Sequence, residues 1–406
     1  MKILILNSDS PNNRGDRAIL AGNIKLIADT FPAAEIWSIS QFAERDEAWY
    51  GIRFLPMSPY SISPIDMLKL AIFARKCDYI FWGGGELLKD YTNKIGLVYW
   101  LVKIGVLRWF NSNIYGLFQG IGPTQANISK RMIAASVNRT KGFLVRDDES
   151  RQKLVSWGVK TPVVSSFDPA SIAEAWPLDG ETLLRLRTAH NIDEKFLHSA
   201  IGVGLRKWFH YKKSGWLPFR FKLFRGDVNK PNPKLDQYIT NVAMMCDGLI
   251  ERHNVNVLFL PMHMSSSEND AKFCRDVIAK MKHTDRTRVL ETDDLSPQQT
   301  LNVIARLRAF VGARLHSTIL ATSVNVPSFV FYYVDKGRLY FEQVGMQKFS
   351  RPIEDLVDEN NLPTIANEID TLLKESHEVK HTLGSRIGAM RLRIIKDFRA
   401  AVGATQ

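Results

Sequence analysis

The chain predicts an α/β protein of two units, each alternating short apolar strands with helices, and three observations carry that expectation. At 406 residues it exceeds what one ordinary core holds, so two domains are expected. Apolar runs at residues 3–6, 79–82, 113–118 and 142–145 each exit into turn-forming residues and then a helix-like segment, the pattern of a doubly wound sheet. The same pattern resumes at 199–205 and continues through 255–260, 288–290, 309–311 and 328–334. The expected division is 1–170 for the first domain, 171–197 for a charged linker, 198–360 for the second domain and 361–406 for a helical tail.

Hydrophobic content of 45% and charged content of 24% are those of a soluble globular protein. The three cysteines, Cys77, Cys246 and Cys274, are far apart and form no CxxC or Cys/His cluster. A disulfide scaffold and a structural zinc site are therefore not expected, no ligand cluster suggests any other metal, and a reducing compartment fits. The net charge of +12 suits nucleic acid, an anionic lipid surface or phosphorylated substrates. With no RNP, zinc-finger or bZIP pattern, nucleic acid is the weakest of the three. The opening MKILILNSDSP has an apolar run that stops at Asn7 and reads as a first buried strand, not a signal peptide. Residues 95–110, the longest apolar stretch, carry Lys103 and Arg108 and are too short to span a bilayer comfortably. The expected location is the cytoplasm, with room for peripheral attachment to the inner face of a membrane.

In chain order, strand 3–6 empties into SDSPNNRGD and a helix that starts near Asp16. The dinucleotide fingerprint GxGxxG is missing, yet Asn12, Asn13, Gly15 and Asp16 set polar groups at a strand–helix crevice. An Asx turn with Asp16 as helix cap accounts for the same residues. Strand 79–82 runs into Gly83, Gly84 and Gly85, which let backbone N–H groups approach a bound group, or serve packing alone. ELLKDYTN, residues 86–93, is expected to open a helix with Asp90 near the mouth. Strand 113–118 ends in Gln119-Gly120-Ile121-Gly122-Pro123, another shaped loop on the same sheet edge. Strand 142–145 ends in Arg146-Asp147-Asp148, where an acidic residue caps the next helix and Gly158 ends it. The first domain closes with Asp168-Pro169-Ala170.

The second domain opens on a strand that hands over to Arg206. Between Arg206 and Lys230, eight Lys or Arg stand against one Asp, interleaved with Trp208, Phe209, Tyr211, Trp216, Phe219, Phe221 and Phe224. Aromatic plus basic suits an anionic membrane surface, and also single-stranded nucleic acid, a sugar groove or a packed inter-domain loop; the membrane is the favoured partner. The loop after strand 255–260 carries His263 and three serines, fit for phosphate or simply solvated. Residues 309–337 matter most. A short strand turns at Gly312 and presents Arg314, Leu315 and His316 at a helix N-terminus, and a further strand delivers Lys336. Ligands bind at such strand ends in open α/β sheets, and anions find unpaired N–H groups there. A fixed cation beside an imidazole suits an anionic substrate that needs a proton moved, although a surface Arg and a capping His explain the pair equally well.

Taken together, these pieces resemble the polysaccharide pyruvyl transferase family from Asn12 to about Gly345. Asn13-Arg14-Gly15-Asp16-Arg17-Ala18-Ile19 looks like its N-x-G-D-x-A-I loop, Gly83-Gly84-Gly85 like its triple-glycine turn, and Gln119-Gly120-Ile121-Gly122-Pro123 like its GQGIGP loop. Arg146-Asp147, Asp168-Pro169-Ala170, Arg206, Arg314-Leu315-His316, and Val326-Pro327 with Tyr333 and Lys336 follow in the family's order. Phe118 stands where the family has a glycine, Glu86 is unusual behind three glycines, and the insert after Arg206 is long.

The resemblance implies two Rossmann-like domains facing across a GT-B-like cleft, the first on the acceptor side and the second on the donor side. It implies phosphoenolpyruvate as donor and co-substrate, no cofactor, and a sugar of a cell-surface polysaccharide, or its lipid-linked precursor, as acceptor. Arg206 and Arg314 would then take the donor's phosphate and carboxylate, His316 would protonate its methylene carbon, and Leu315 and Lys336 would line the donor. Asn13, Asp16, Gly84, Gly85, Asp90 and Gln119 would face the acceptor. The alternatives are a GT-B glycosyltransferase using a nucleotide-sugar and a non-catalytic envelope-assembly protein.

Overall fold

The computed structural model describes residues 1–7, 13–91, 94–207, 232–264, 269–292 and 294–404. Most of the aromatic basic stretch at 206–230 lies outside them.

The first sheet is wholly parallel, with order β3-β2-β1-β4-β5-β6-β7. Its strands are β1 (Lys2–Leu6), β2 (Glu35–Ser40), β3 (Arg53–Pro56), β4 (Tyr79–Gly83), β5 (Ile114–Gln119), β6 (Gly142–Val145) and β7 (Val163–Ser165). Helices α1 (Arg14–Thr30), α2 (Ala43–Tyr50), α3 (Pro64–Ala74), α4 (Lys94–Phe110), α5 (Asn127–Val137) and α6 (Asp148–Ser156) connect them. Buried Leu4 and Leu6 pack on the face covered by α3 to α6, while Ile3 and Ile5 join the larger core that continues into the second domain. Strand periodicity of two thus sorts one strand between two cores.

The second sheet repeats the plan: order β10-β9-β8-β11-β12-β13, again all parallel. It contains β8 (Ala200–Gly204), β9 (Asn256–Phe259), β10 (Thr287–Val289), β11 (Ala309–Gly312), β12 (Ser328–Tyr332) and β13 (Ser350–Pro352). Helices α7 (Gly180–His190) and α8 (Glu194–Ser199) precede it, and α9 (Pro233–His253), α10 (Asp270–Ile278), α11 (Pro297–Ala305), α12 (Leu315–Ser323) and α13 (Asp335–Gln343) build it. The Ser296 and Gln299 side chains close a capping box at α11. Strand order reverses between β1 and β4 in one sheet and between β8 and β11 in the other, so each has a crevice at its switch point.

Two local expectations are corrected. The helix expected from Glu86 starts only at Lys94. Gly84 and Gly85 have φ of 102° and 49°, and the loop they open is bonded to its neighbour through Gly120 N to Gly85 O (2.9 Å) and Gly122 N to Leu88 O (3.1 Å). Helix α1 is capped by Asn13, which accepts from Gly15 N at 2.9 Å, leaving Asp16 in the first turn. Phe118 explains its own oddity, since it holds φ of 45° where β5 slips register against β6, a conformation that favours glycine. Its ring is buried in the main core, which offsets that strain.

The tail crosses back to the first domain. Helix α14 (Leu362–Lys374) leads into α15 (Ser376–Val402), whose Phe398 packs 5.4 Å from Phe81. Arg391 donates to Ser171 O (2.7 Å) and Ser323 O (2.9 Å), tying both halves together.

Helix α1 also rests on the 3₁₀ turn Pro169–Ile172, which starts at Asp168. A Cβ on Gly22 would overlap the Pro169 carbonyl. In an open helix Gly→Ala gains up to about 1 kcal/mol, but backbone overlap in a packed core costs roughly 1–3 kcal/mol, so the clash decides the sign. Gly22→Ala is expected to lower the urea midpoint with an unchanged slope.

Candidate active site

The two crevices face each other and are stitched together by the N-terminus of α1. Asn13 forms a β-bridge with His263, and Arg14 N donates to Met262 O at 2.9 Å. The buried Arg14 guanidinium donates to Pro261 O (2.5 Å), Leu290 O (2.9 Å) and Thr292 O (2.8 Å), carbonyls at the far ends of β9 and β10. This registers Gly15 against His316. A Cβ on Gly15 would sit 2.6 Å from His316 Nδ1, so only glycine lets the ring approach.

Behind the ring lies a buried ion cluster drawn from three loops. His316 Nε2 stands 3.4 Å from Asp168 Oδ2 and 3.5 Å from Arg146 Nη1. A guanidinium offers no acceptor, so an Nε2–H is assigned to Asp168. Arg146 in turn donates to Asp168 Oδ2 at 2.9 Å, and Ala170 N donates to Asp168 Oδ1 at 3.0 Å. Burial alone would raise the Asp168 carboxyl, but His316, Arg146 and the Ala170 N–H outweigh it and hold it at about 2. The guanidinium of Arg146 also lies 3.6 Å from Glu86, which pairs across the cleft with Lys336. Burial pulls the Lys336 ammonium down to about 8.

Asp16 faces the same space from the first domain. Asn13 Nδ2 donates to its Oδ2 at 3.0 Å. Burial lifts its carboxyl to about 6, against the pull of His316, Lys89 and Arg146 and the Asn13 hydrogen bond. A group poised there changes charge near neutrality, as a general base requires.

The second domain supplies cations from neighbouring loops. Arg206 follows β8, Arg314 and His316 follow β11, and Tyr333 and Lys336 follow β12. With strands about 4.8 Å apart, these loops adjoin. Arg206 donates to Tyr333 OH at 3.1 Å with its guanidinium 4.9 Å from that ring. Arg314 is gripped by Asp270 through Nε (2.7 Å) and Nη2 (2.8 Å), a bidentate pair that fixes its direction. Leu315 is the first residue of α12 and packs on the main core.

Not every residue expected at the site meets the cleft. Both Asp90 carboxylate oxygens are taken by Gln125 N (2.9 Å) and Ala126 N (3.0 Å), so it orders the entry to α5 and does not line the mouth. Buried Gln119 donates to Trp82 O at 3.0 Å and braces the ends of β4 and β5. Gly84 and Gly85 shape the loop that carries Glu86. Conversely, Arg14, Glu86, Arg146 and Asp168 were assigned no site role from the sequence. Their motifs were visible, but partners up to 278 residues away were not. Among the described residues no His, Cys, Asp and Glu group could hold a metal ion, and no helix is long and apolar enough to cross a membrane.

Two parallel sheets with their switch points opposed define a GT-B-like α/β protein. Known structures share the fold. A UDP-GlcNAc 2-epimerase from Methanocaldococcus jannaschii superposes with a TM-score of 0.59 at 12% identity, covering 92% of this chain and 93% of its own. The ADP-heptose lipopolysaccharide heptosyltransferase II of E. coli gives 0.53 at 14%, covering 93% and 100%. The chain belongs to the polysaccharide pyruvyl transferase family, which it matches over residues 13–335. It is also 20% identical over 434 residues to the amylovoran biosynthesis protein AmsJ of Erwinia amylovora, covering 97% of this chain and all of AmsJ.

Proposed function

We propose that the cleft moves pyruvate from phosphoenolpyruvate onto two hydroxyls of a sugar as a cyclic ketal, releasing phosphate. The observation that carries this reading is the His316 ring, backed by Asp168 and Arg146 and flanked by the cations of the β8, β11 and β12 loops, opposite the Asp16 carboxylate. A doubly anionic donor matches Arg206, Lys336 and the Asp270-oriented Arg314. His316 gives a proton to the donor's C3 and leaves C2 cation-like. A sugar hydroxyl then bonds to C2 as its proton passes to Asp16. The C2–O bond to phosphate breaks, and the second hydroxyl closes the ring. The two hydroxyl protons end on the new methyl group and the released phosphate, so the reaction balances. The family's description and the biosynthetic role in the AmsJ name support a polysaccharide as acceptor, and a lipid-linked precursor would offer the same hydroxyls.

The test is phosphate release from phosphoenolpyruvate with free and lipid-linked galactose, glucose and N-acetylmannosamine. Release is expected to require a sugar, to vanish in His316→Ala, and to show KM for the donor raised about 10–100-fold in Arg206→Ala. Full activity in both variants would sink the assignment. Nucleotide-sugar binding with none of phosphoenolpyruvate would replace it with a glycosyltransferase.

A further inference from the structure

A helix packed on a sheet normally turns a polar face to solvent. Helix α4 does not. Its outward positions Ile95, Val98, Val102 and Trp109 are exposed and recur on one face, and Trp109 is 87% exposed. On α3, which packs along α4, Ile65, Leu68 and Ile72 are exposed in the same way, and Ile62 in the preceding turn is 88% exposed. Apolar patches this continuous mark an interaction surface.

The charge around this face is one-sided. From Tyr91 to Val145 the chain has no Asp or Glu, and of its cations all but buried Lys103 reach the surface: Lys94, Arg108, Lys130, Arg131, Arg139 and Lys141. Lys69 adds an exposed cation on α3, whose single acid, Asp66, is half-buried and accepts from Ser61, and just past its end exposed Arg75 and Lys76 outnumber Asp78, which accepts from Lys2 N. Where α4 ends, Arg108, Trp109, Arg139 and Lys141 line a cavity of about 360 Å³. We propose that the α3–α4 face seats the protein on an anionic membrane, its apolar stripe in the interfacial layer and the Arg108–Arg139–Lys141 cavity around a lipid phosphate. A second copy of the chain fits poorly, because a twofold contact would press this net basic surface against itself. The other end of α4 follows the loop that carries Glu86, so the seated protein would hold its cleft rim beside the bilayer.

The experiment is co-sedimentation of the full chain with phosphatidylcholine vesicles, with and without phosphatidylglycerol, at low and physiological salt. Binding is expected only with the anionic lipid and is expected to weaken with salt. Val98→Glu/Val102→Glu and Arg108→Glu/Lys141→Glu change exposed or rim positions, and each should cut partitioning at least tenfold while leaving the thermal unfolding transition in place. Three results would overturn the proposal: equal binding to neutral vesicles, undiminished binding in both double variants, or a dimer that Val98→Glu/Val102→Glu splits without either form binding vesicles.

Discussion

Asp16→Asn is expected to lower kcat/KM for ketal transfer about a thousandfold while making the protein more stable at pH 8. Both effects come from one carboxylate. Burial raises its pKa from 3.8 to about 6, so its proton stays on through most of the acid range. The stability sign follows. Below 3.8 the group is neutral whether the chain is folded or not. Between 3.8 and about 6 only the unfolded chain gains by ionising, and above about 6 the folded protein holds a charge its surroundings disfavour. The stability that neutral Asp16 contributes is thus lost as pH rises through about 6, at a cost of at most about 3 kcal/mol for a shift of this size. Asparagine carries no charge, and its oxygen can still accept from Asn13. Its amide cannot take a proton from a sugar hydroxyl, and general-base catalysis supplies roughly 10²–10⁴ in rate. The wild-type kcat/KM profile should therefore rise through an acid limb near pH 6. That limb should be missing from whatever activity Asp16→Asn retains. A variant within tenfold of wild type, with the limb still at 6, would remove Asp16 from the chemistry.

The destabilising carboxylate was legible in the sequence as a polar residue at a strand exit, but its burial was not. Strands β1, β4, β8 and β11 were readable because each is a short apolar run bounded by turn formers. Strands β2 and β3 were not singled out: β2 mixes Glu35, Ser38 and Ser40 into its pattern, and β3 is four residues long. Local patterns also placed Arg206, Arg314, His316 and Lys336 at strand ends, since the residue after a parallel strand falls on the ligand-binding edge. They could not show that Glu86 meets Lys336, or that Asp168 backs His316, because those contacts depend on how two domains dock. The helix expected at 86–93 failed on contacts within the first domain, between the exits of β4 and β5. Gly120 and Gly122 donate to Gly85 O and Leu88 O and hold the stretch behind the glycines as a loop.

That docking is what Arg14→Ala is expected to break. Three main-chain carbonyls, Pro261, Leu290 and Thr292, converge on one buried guanidinium, and truncation leaves them without its donors inside a closed interface. Hydrogen bonds to a charged group are worth about 1.5–3 kcal/mol each, and entering water recovers part of this, which leaves a net loss of roughly 3–5 kcal/mol. The loss falls on the contact between domains. Calorimetry should show one transition for the wild type and two for the variant, the lower one being undocking. Turnover should fall at least a hundredfold, because Gly15 and Asp16 lose their register on His316. Arg206, Arg314 and Lys336 all sit on the second sheet, so titration with phosphoenolpyruvate should give a Kd within about threefold of wild type. Arg14→Lys keeps the charge without the planar fork and should restore only part of the docking. Turnover and donor affinity lost together in Arg14→Ala would mean that the donor is gripped from both domains, and the division into acceptor and donor sides would fail.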